Sequence, residues 1–239
     1  MPRHVSSCLI AAFLLSLPLV SCNGTHFETA QHHLRDGQQT EARRALELEV
    51  VARPDNLEAR YNLAVLLERI GHDADAATLY RDNLKRGRHL PSVVNLSAWL
   101  RRQGHTEEAR ELLQQATQDY RSEAVPWYLL AEMAQQRGDK KQAYACYLEA
   151  IKADKNNAFA HLRFARFLAA SGDLDKAVAQ ADRAVQLGPE CAPCLNIAGD
   201  IFAQAGNNKQ ALALWQKSIA IAPDKALRSK ILHARNIAQ

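Results

Sequence analysis

The chain is 239 residues long, 47% hydrophobic and 23% charged, with a formal net charge of +4, a balance ordinary for a globular protein. Aromatic residues make up only 6% and Ala-rich runs stand out, which suits close-packed helices better than a sheet built on β-branched and aromatic side chains. No Lys/Arg-rich block occurs, so nothing points to nucleic acid as a partner.

The N-terminus opens with a short positive start at Arg3, followed by an almost wholly apolar run from Cys8 to Val20. That run is too short for a hydrocarbon core that takes about 20 helical residues to cross. It fits the apolar centre of a secretory signal peptide. Leu19-Val20-Ser21-Cys22 resembles a lipobox, the bacterial lipoprotein signal. The resemblance implies cleavage of residues 1–21, acylation of Cys22 and a lipid anchor, held stably where two or more acyl chains insert. Asn23, by the same resemblance, points to the outer membrane, with the protein on its periplasmic side.

After Cys22 the sequence is periodic. Gly37, Gly71, Gly104, Gly138, Gly172 and Gly206 are spaced 34, 33, 34, 34 and 34 residues apart. Five residues after each stands an alanine: Ala42, Ala76, Ala109, Ala143, Ala177 and Ala211. The resulting repeats span 23–56, 57–89, 90–123, 124–157, 158–191 and 192–225, and the second is one residue short. Each reads as helix A, a turn, then helix B. The glycine stops helix A, where a left-handed residue is often needed. The small residue at repeat position 8 (Ala30, Ala64, Ser97, Ala131, Ala165, Gly199) faces the alanine at position 20 and lets the two helices approach. Pro54, Pro189 and Pro223 close helix B in repeats one, five and six.

The fourth repeat carries Trp127, Leu130, Ala131, Gly138, Ala143, Tyr147 and Ala150 in register. With the period of 34, this resembles the tetratricopeptide repeat. The resemblance departs most at Ala134, where a tyrosine is usual, and at Lys155, where a proline is usual. It implies an all-α, right-handed superhelical solenoid of six repeats, stabilised by stacking of neighbours. Residues 226–239 read as an amphipathic capping helix, with Leu227, Ile231 and Leu232 on one side and Arg228, Lys230 and Arg235 but no acid. At the other end, Thr25 followed by Glu28 predicts a capping box.

Few residues suggest catalysis. Cys191-Ala192-Pro193-Cys194 at a helix start could hold a reactive thiolate. The βαβ context of a thioredoxin-like enzyme is missing, however, and a local disulfide or a pair of structural thiols is the competing reading. Cys146 reads as a small buried residue of helix B. His32 and His33 are adjacent, so they point about 100° apart and cannot chelate together. His72 and His105 read as turn-surface residues. No phosphate-cradling glycine loop, G-x-S-x-G or H-E-x-x-H occurs. The expectation is therefore no catalytic site, no metal, no cofactor and no small-molecule substrate.

Helical geometry separates two faces of each helix A. Positions 4, 7, 8 and 11 hold Leu63, Leu96, Trp127, Leu130, Phe164 and Leu168 and read as core. By resemblance to the family, positions 2, 5, 9, 12 and 13 line a partner-binding groove. They hold Tyr61, Arg69, Val94, Arg101, Arg102, Tyr128, Phe159, Leu162 and Arg166, together with Phe27, Val65 and Val125. Aromatics and arginine are enriched at protein-binding hot spots. Lys and Asn at positions 5 and 9, the carboxylate clamp of chaperone-binding members, are not present in any repeat. A six-repeat lipoprotein further resembles the pilotin and pilus-assembly lipoproteins of type IV pilus systems. That resemblance implies a scaffold for an envelope protein complex such as a secretin. An adaptor of cell-wall hydrolases, or a thiol–disulfide enzyme, would be the alternatives.

Overall fold

The computed structural model describes residues 25–237; the stretch expected to be a signal peptide, and Cys22, lie outside the described residues. Among those described, every regular element is an α-helix, and there are thirteen. They fall into two compact units, divided between Pro54 and Asp55.

The first unit holds α1 (His26–Arg35) and α2 (Gln39–Ala52), an antiparallel pair. The expected capping box is present: Thr25 Oγ1 accepts from the Glu28 amide at 3.1 Å, and Glu28 Oε2 accepts from the Thr25 amide at 2.8 Å. Both donors would otherwise be orphaned at the helix start. Glu49 is fully buried, and its carboxylate accepts from the Phe27 amide and from Arg53.

The second unit stacks ten helices as five hairpins. These are α3 (Leu57–Arg69) with α4 (Asp73–Arg86), α5 (Leu90–Arg102) with α6 (Thr106–Asp119), α7 (Ala124–Gln136) with α8 (Lys140–Ala153), α9 (Ala158–Ala170) with α10 (Leu174–Leu187), and α11 (Ala192–Gln204) with α12 (Asn208–Ile221). The last helix, α13 (Lys225–Ile237), packs on α12. The fold class is the all-α repeat solenoid that the period of 34 predicts.

The glycines and alanines play the predicted parts. All six turn glycines have positive φ, between 74° and 87°, the left-handed region that ends a helix without a Cβ penalty. The alanines at position 20 are fully buried, as are Ala30, Ala64, Ala131 and Ala165 at position 8. The three expected prolines each stand two residues beyond the last residue of α2, α10 and α12. The residue missing from repeat two is missing from its exit loop. Three residues link α4 to α5, where four link α6 to α7 and α8 to α9.

Two expectations about packing are corrected. Leu227 and Ile231 bury against α12, but Leu232 is 60% exposed. It lies about 100° around the helix from Ile231, beyond the edge of the buried stripe. Cys146 is half-buried, a free thiol whose pKa burial pushes up.

Candidate functional site

The A helices of repeats four, five and six lie side by side, with α9 touching both α7 and α11. Along their shared face runs a cavity of about 830 Å³. Helix α7 contributes Glu132, Gln135 and Gln136; α9 contributes Arg163, Arg166, Ala169 and Ala170; α11 contributes Ile197, Asp200, Ile201 and Gln204. Tyr147 reaches it from α8.

The floor is rigid. Tyr147 is almost fully buried, stacked on Phe164 at 5.5 Å between ring centroids and packed on Phe167 at 5.3 Å. Tyr144 joins the same aromatic cluster against Phe164. Burial pushes the Tyr147 phenol well above its ordinary pKa, and its hydroxyl donates to Gln135 Oε1 at 3.4 Å. Short side chains at Ala169 and Ala170 leave the volume open above that floor.

Charges on this face are arranged as rungs between consecutive repeats. Arg102 pairs with Glu68 at 3.0 Å, Arg163 with Glu132, and Lys230 with Asp200. Arg101 donates to Gln136 Oε1 at 3.1 Å. Arg163 also lies over the Tyr128 ring, 4.8 Å from its centroid, a cation–π contact that covers the aromatic face. Trp215 Nε1 donates to Asp200 Oδ1 at 2.9 Å. Further back, Glu68 Oε2 accepts from the Tyr80 hydroxyl at 2.8 Å, and that oxygen in turn accepts from Asn95 Nδ2 at 2.9 Å.

The predicted groove residues therefore separate. Arg166 lines the cavity, while Arg101 reaches its edge through Gln136. Leu162 is 2% exposed and belongs to the core; position 5 of repeat five faces its neighbours, and Leu162 is withdrawn from the candidate surface. Tyr128 is half-covered by Arg163, and burial raises its phenol pKa. Tyr61 packs on Tyr80 and on His89, with centroids 5.8 and 5.1 Å away. Val94 is part-buried on α5, whereas Phe159 is 50% exposed at the start of α9. Arg69 is exposed at the end of α3 and forms no contact with a charged partner among the described residues. Position 6, outside the predicted groove positions, also faces the cavity: Arg163 and Ile197 both line it. The departure of these helices from the simple two-face division is set by the neighbouring repeat, which the helical wheel of one repeat does not contain.

Cys191 and Cys194 form a disulfide, with Cα atoms 5.2 Å apart. Cys191 is also the N-cap of α11: its Sγ accepts from the Cys194 amide at 3.3 Å. Cys194 Sγ is enclosed, since that residue has no exposed surface. His32 and His33 hold rings 6.3 Å apart at 84°, and no cluster of three metal-ligating side chains occurs among the described residues. No helix among them is long and apolar enough to cross a membrane.

Comparison with known proteins agrees with the geometry. A domain of unknown function matches residues 95–190. No curated protein matches the chain. Among solved structures, a chain of the APC/C hetero-tetramer Cut9–Hcn1 superposes with a TM-score of 0.66 at 18% identity, over 87% of this chain and 41% of that one. This chain thus spans about two fifths of that relative. PilF of Pseudomonas aeruginosa superposes with a TM-score of 0.63 at 19% identity, over 87% of this chain and 95% of that one. A thermophilic tetratricopeptide protein of Thermus thermophilus gives 0.61 at 21%, over 74% and 98%. At these identities the likeness is one of fold. The tetratricopeptide-repeat model matches residues 27–89 and 162–226, together more than half of the sequence, and with six helical hairpins turning on positive-φ glycines the chain belongs to the tetratricopeptide-repeat family.

Proposed function

We propose that this protein is a membrane-anchored, periplasmic scaffold that holds a protein partner in the groove along α7, α9 and α11. In this reading it assists assembly or localisation of an envelope complex such as a type IV pilus secretin. The observation that carries the binding role is the groove itself. Three consecutive A helices leave about 830 Å³ open, over a floor made rigid by the Tyr147–Phe164–Phe167 stack. Preorganised concave sites of this size suit side chains of a partner. The envelope setting is supported by Leu19 to Cys22 at the end of an apolar run, and the shared fold with PilF is in keeping with a pilus system. Binding is the role assigned, because the groove is a concave site, while Cys191 and Cys194 are joined in a disulfide in which Cys191 caps α11.

The test has two arms in the native host. Palmitate labelling and membrane fractionation should show wild type acylated and in the outer membrane, and Cys22→Ala unlabelled. Affinity capture should then recover a secretin or pilus-assembly protein with wild type and lose it with Ala170→Trp, which fills the cavity. Recovery of wild type as a soluble, unacylated protein removes the anchor. Capture of a cell-wall hydrolase in place of pilus components would reassign the partner.

A further inference from the structure

The cavity along α7, α9 and α11 carries one charge that the protein itself does not answer. Its two carboxylates each already face a cation: Glu132 faces Arg163, and Asp200 faces Lys230. Arg166 lines the same space from the middle helix, is exposed, and makes no hydrogen bond or ion pair among the described residues. The neighbouring amides each already accept one hydrogen bond. Gln136 Oε1 takes Arg101 and Gln135 Oε1 takes the Tyr147 hydroxyl. Their NH₂ groups have no partner among the described residues, so they remain as donors beside the free guanidinium.

We propose that this groove selects an acidic segment of its partner, an Asp or Glu side chain within an extended stretch. The inference deepens, and rests on, the reading of the groove as the partner site. The Arg166 guanidinium takes the carboxylate, in a planar fork suited to two parallel hydrogen bonds. The Gln135 and Gln136 amides supply further donors to the segment. A small apolar neighbour of the acid lies against Ala169 and Ile197. The carboxylate belongs to a side chain and not to a chain end, because the row of helices continues on both sides of the cavity. Helix α5 reaches one edge through Arg101, and α13 flanks the other through Lys230. A segment thus has a path in both directions, and at both edges it meets a cation. A single uncompensated guanidinium suits one carboxylate; phosphate sites gather several cations.

The probe is a set of synthetic 15-residue peptides, identical except for Glu, Gln or Lys at a central position flanked by Ala and Leu. Their affinity for the full chain is read by fluorescence anisotropy, with circular dichroism checking that each variant is folded. Glu peptides should bind wild type about tenfold or more tightly than Gln peptides, the worth of a charged hydrogen bond. Arg166→Gln should erase that preference, and Arg166→Glu should turn it toward Lys. Equal binding of all three peptides, abolished by Ala170→Trp, would overturn acid selection and leave the groove reading standing. Peptide binding that survives Ala170→Trp would overturn both, and so would Glu peptides that bind neither wild type nor any variant while the native partner is captured by the cavity-filled protein.

Discussion

Gly199 lacks a side chain because Trp215 occupies the space one would take: a Cβ there would stand 2.5 Å from the indole ring. In repeats two and four the same pair of positions is Ala64 with Tyr80 and Ala131 with Tyr147. The larger ring at position 24 is thus matched by the smaller residue at position 8, which keeps the volume between helices A and B near constant.

Gly199→Ala should therefore destabilise the last repeat by about 1–3 kcal/mol, the usual cost of overpacking. Trp215→Tyr in the same chain should recover most of the loss. A double-mutant cycle from urea unfolding measures it; additive effects of the two changes would show that they do not share this space.

Gly138→Ala tests a different cost. A Cβ there meets nothing within 4 Å, yet φ is +81°. The penalty is then backbone strain alone, roughly 1–2 kcal/mol. Asn, which tolerates the left-handed region, should cost less than Ala. An order of stability with Ala above Asn in thermal melts would contradict that assignment.

Removing the disulfide should do little. Cys191 and Cys194 are three residues apart, and closing so short a loop stabilises by about 2 kcal/mol at most in the chain-entropy account. Serine at position 191 can still cap the helix where Cys191 Sγ accepts from the Cys194 amide. Cys191→Ser with Cys194→Ala should retain partner capture and a cooperative melt. Insulin reduction by wild type that vanishes in this variant would instead restore the thiol–disulfide enzyme.

Alkaline pH should weaken the fold. Burial pushes the phenols of Tyr80 and Tyr147 well above their ordinary range. The folded state then holds these protons more tightly than the unfolded one. The contribution is fully present below the unfolded pKa, about 10, and is lost as pH rises toward the folded value. The melting temperature should fall as pH climbs past that point, and more shallowly when both tyrosines are replaced by Phe. Cys146 adds in the same direction from the lower thiol range, so its alkylation should be slower in the folded protein than in urea.

Tyr128→Ala and Arg102→Ala should act on the fold. Tyr128 is covered by Arg163, and Arg102 is held by Glu68. Losing the half-buried ring should cost roughly 2 kcal/mol, below the 3–5 of a fully buried aromatic. An exposed ion pair such as Arg102–Glu68 is worth about 1 kcal/mol or less. Denaturation of the two single variants measures this; a Tyr128→Ala protein as stable as wild type would return that residue to the free surface. Changes at Glu111 and Lys217, both exposed on B helices, should leave partner capture unaltered.

The repeat architecture could be read directly from the chain because its determinants are local and recur. A glycine that must end a helix and an alanine that must let two helices touch are each dictated by the backbone around them. Gly138 and Ala143 carry the same meaning in any repeat, so spacing alone pointed to a helical-repeat fold. The site was legible only in part. Tyr128 and Leu162 occupy the same repeat position, yet one lies beneath an arginine from the next repeat and the other is core. Arg102 and Arg166 look alike on a helical wheel, but only Arg102 finds a carboxylate, Glu68, 34 residues earlier. Periodicity decides which residues share a face of one helix. Which of them remain free to meet a partner is decided by what the adjacent repeat places opposite, and that exists only once the repeats are stacked.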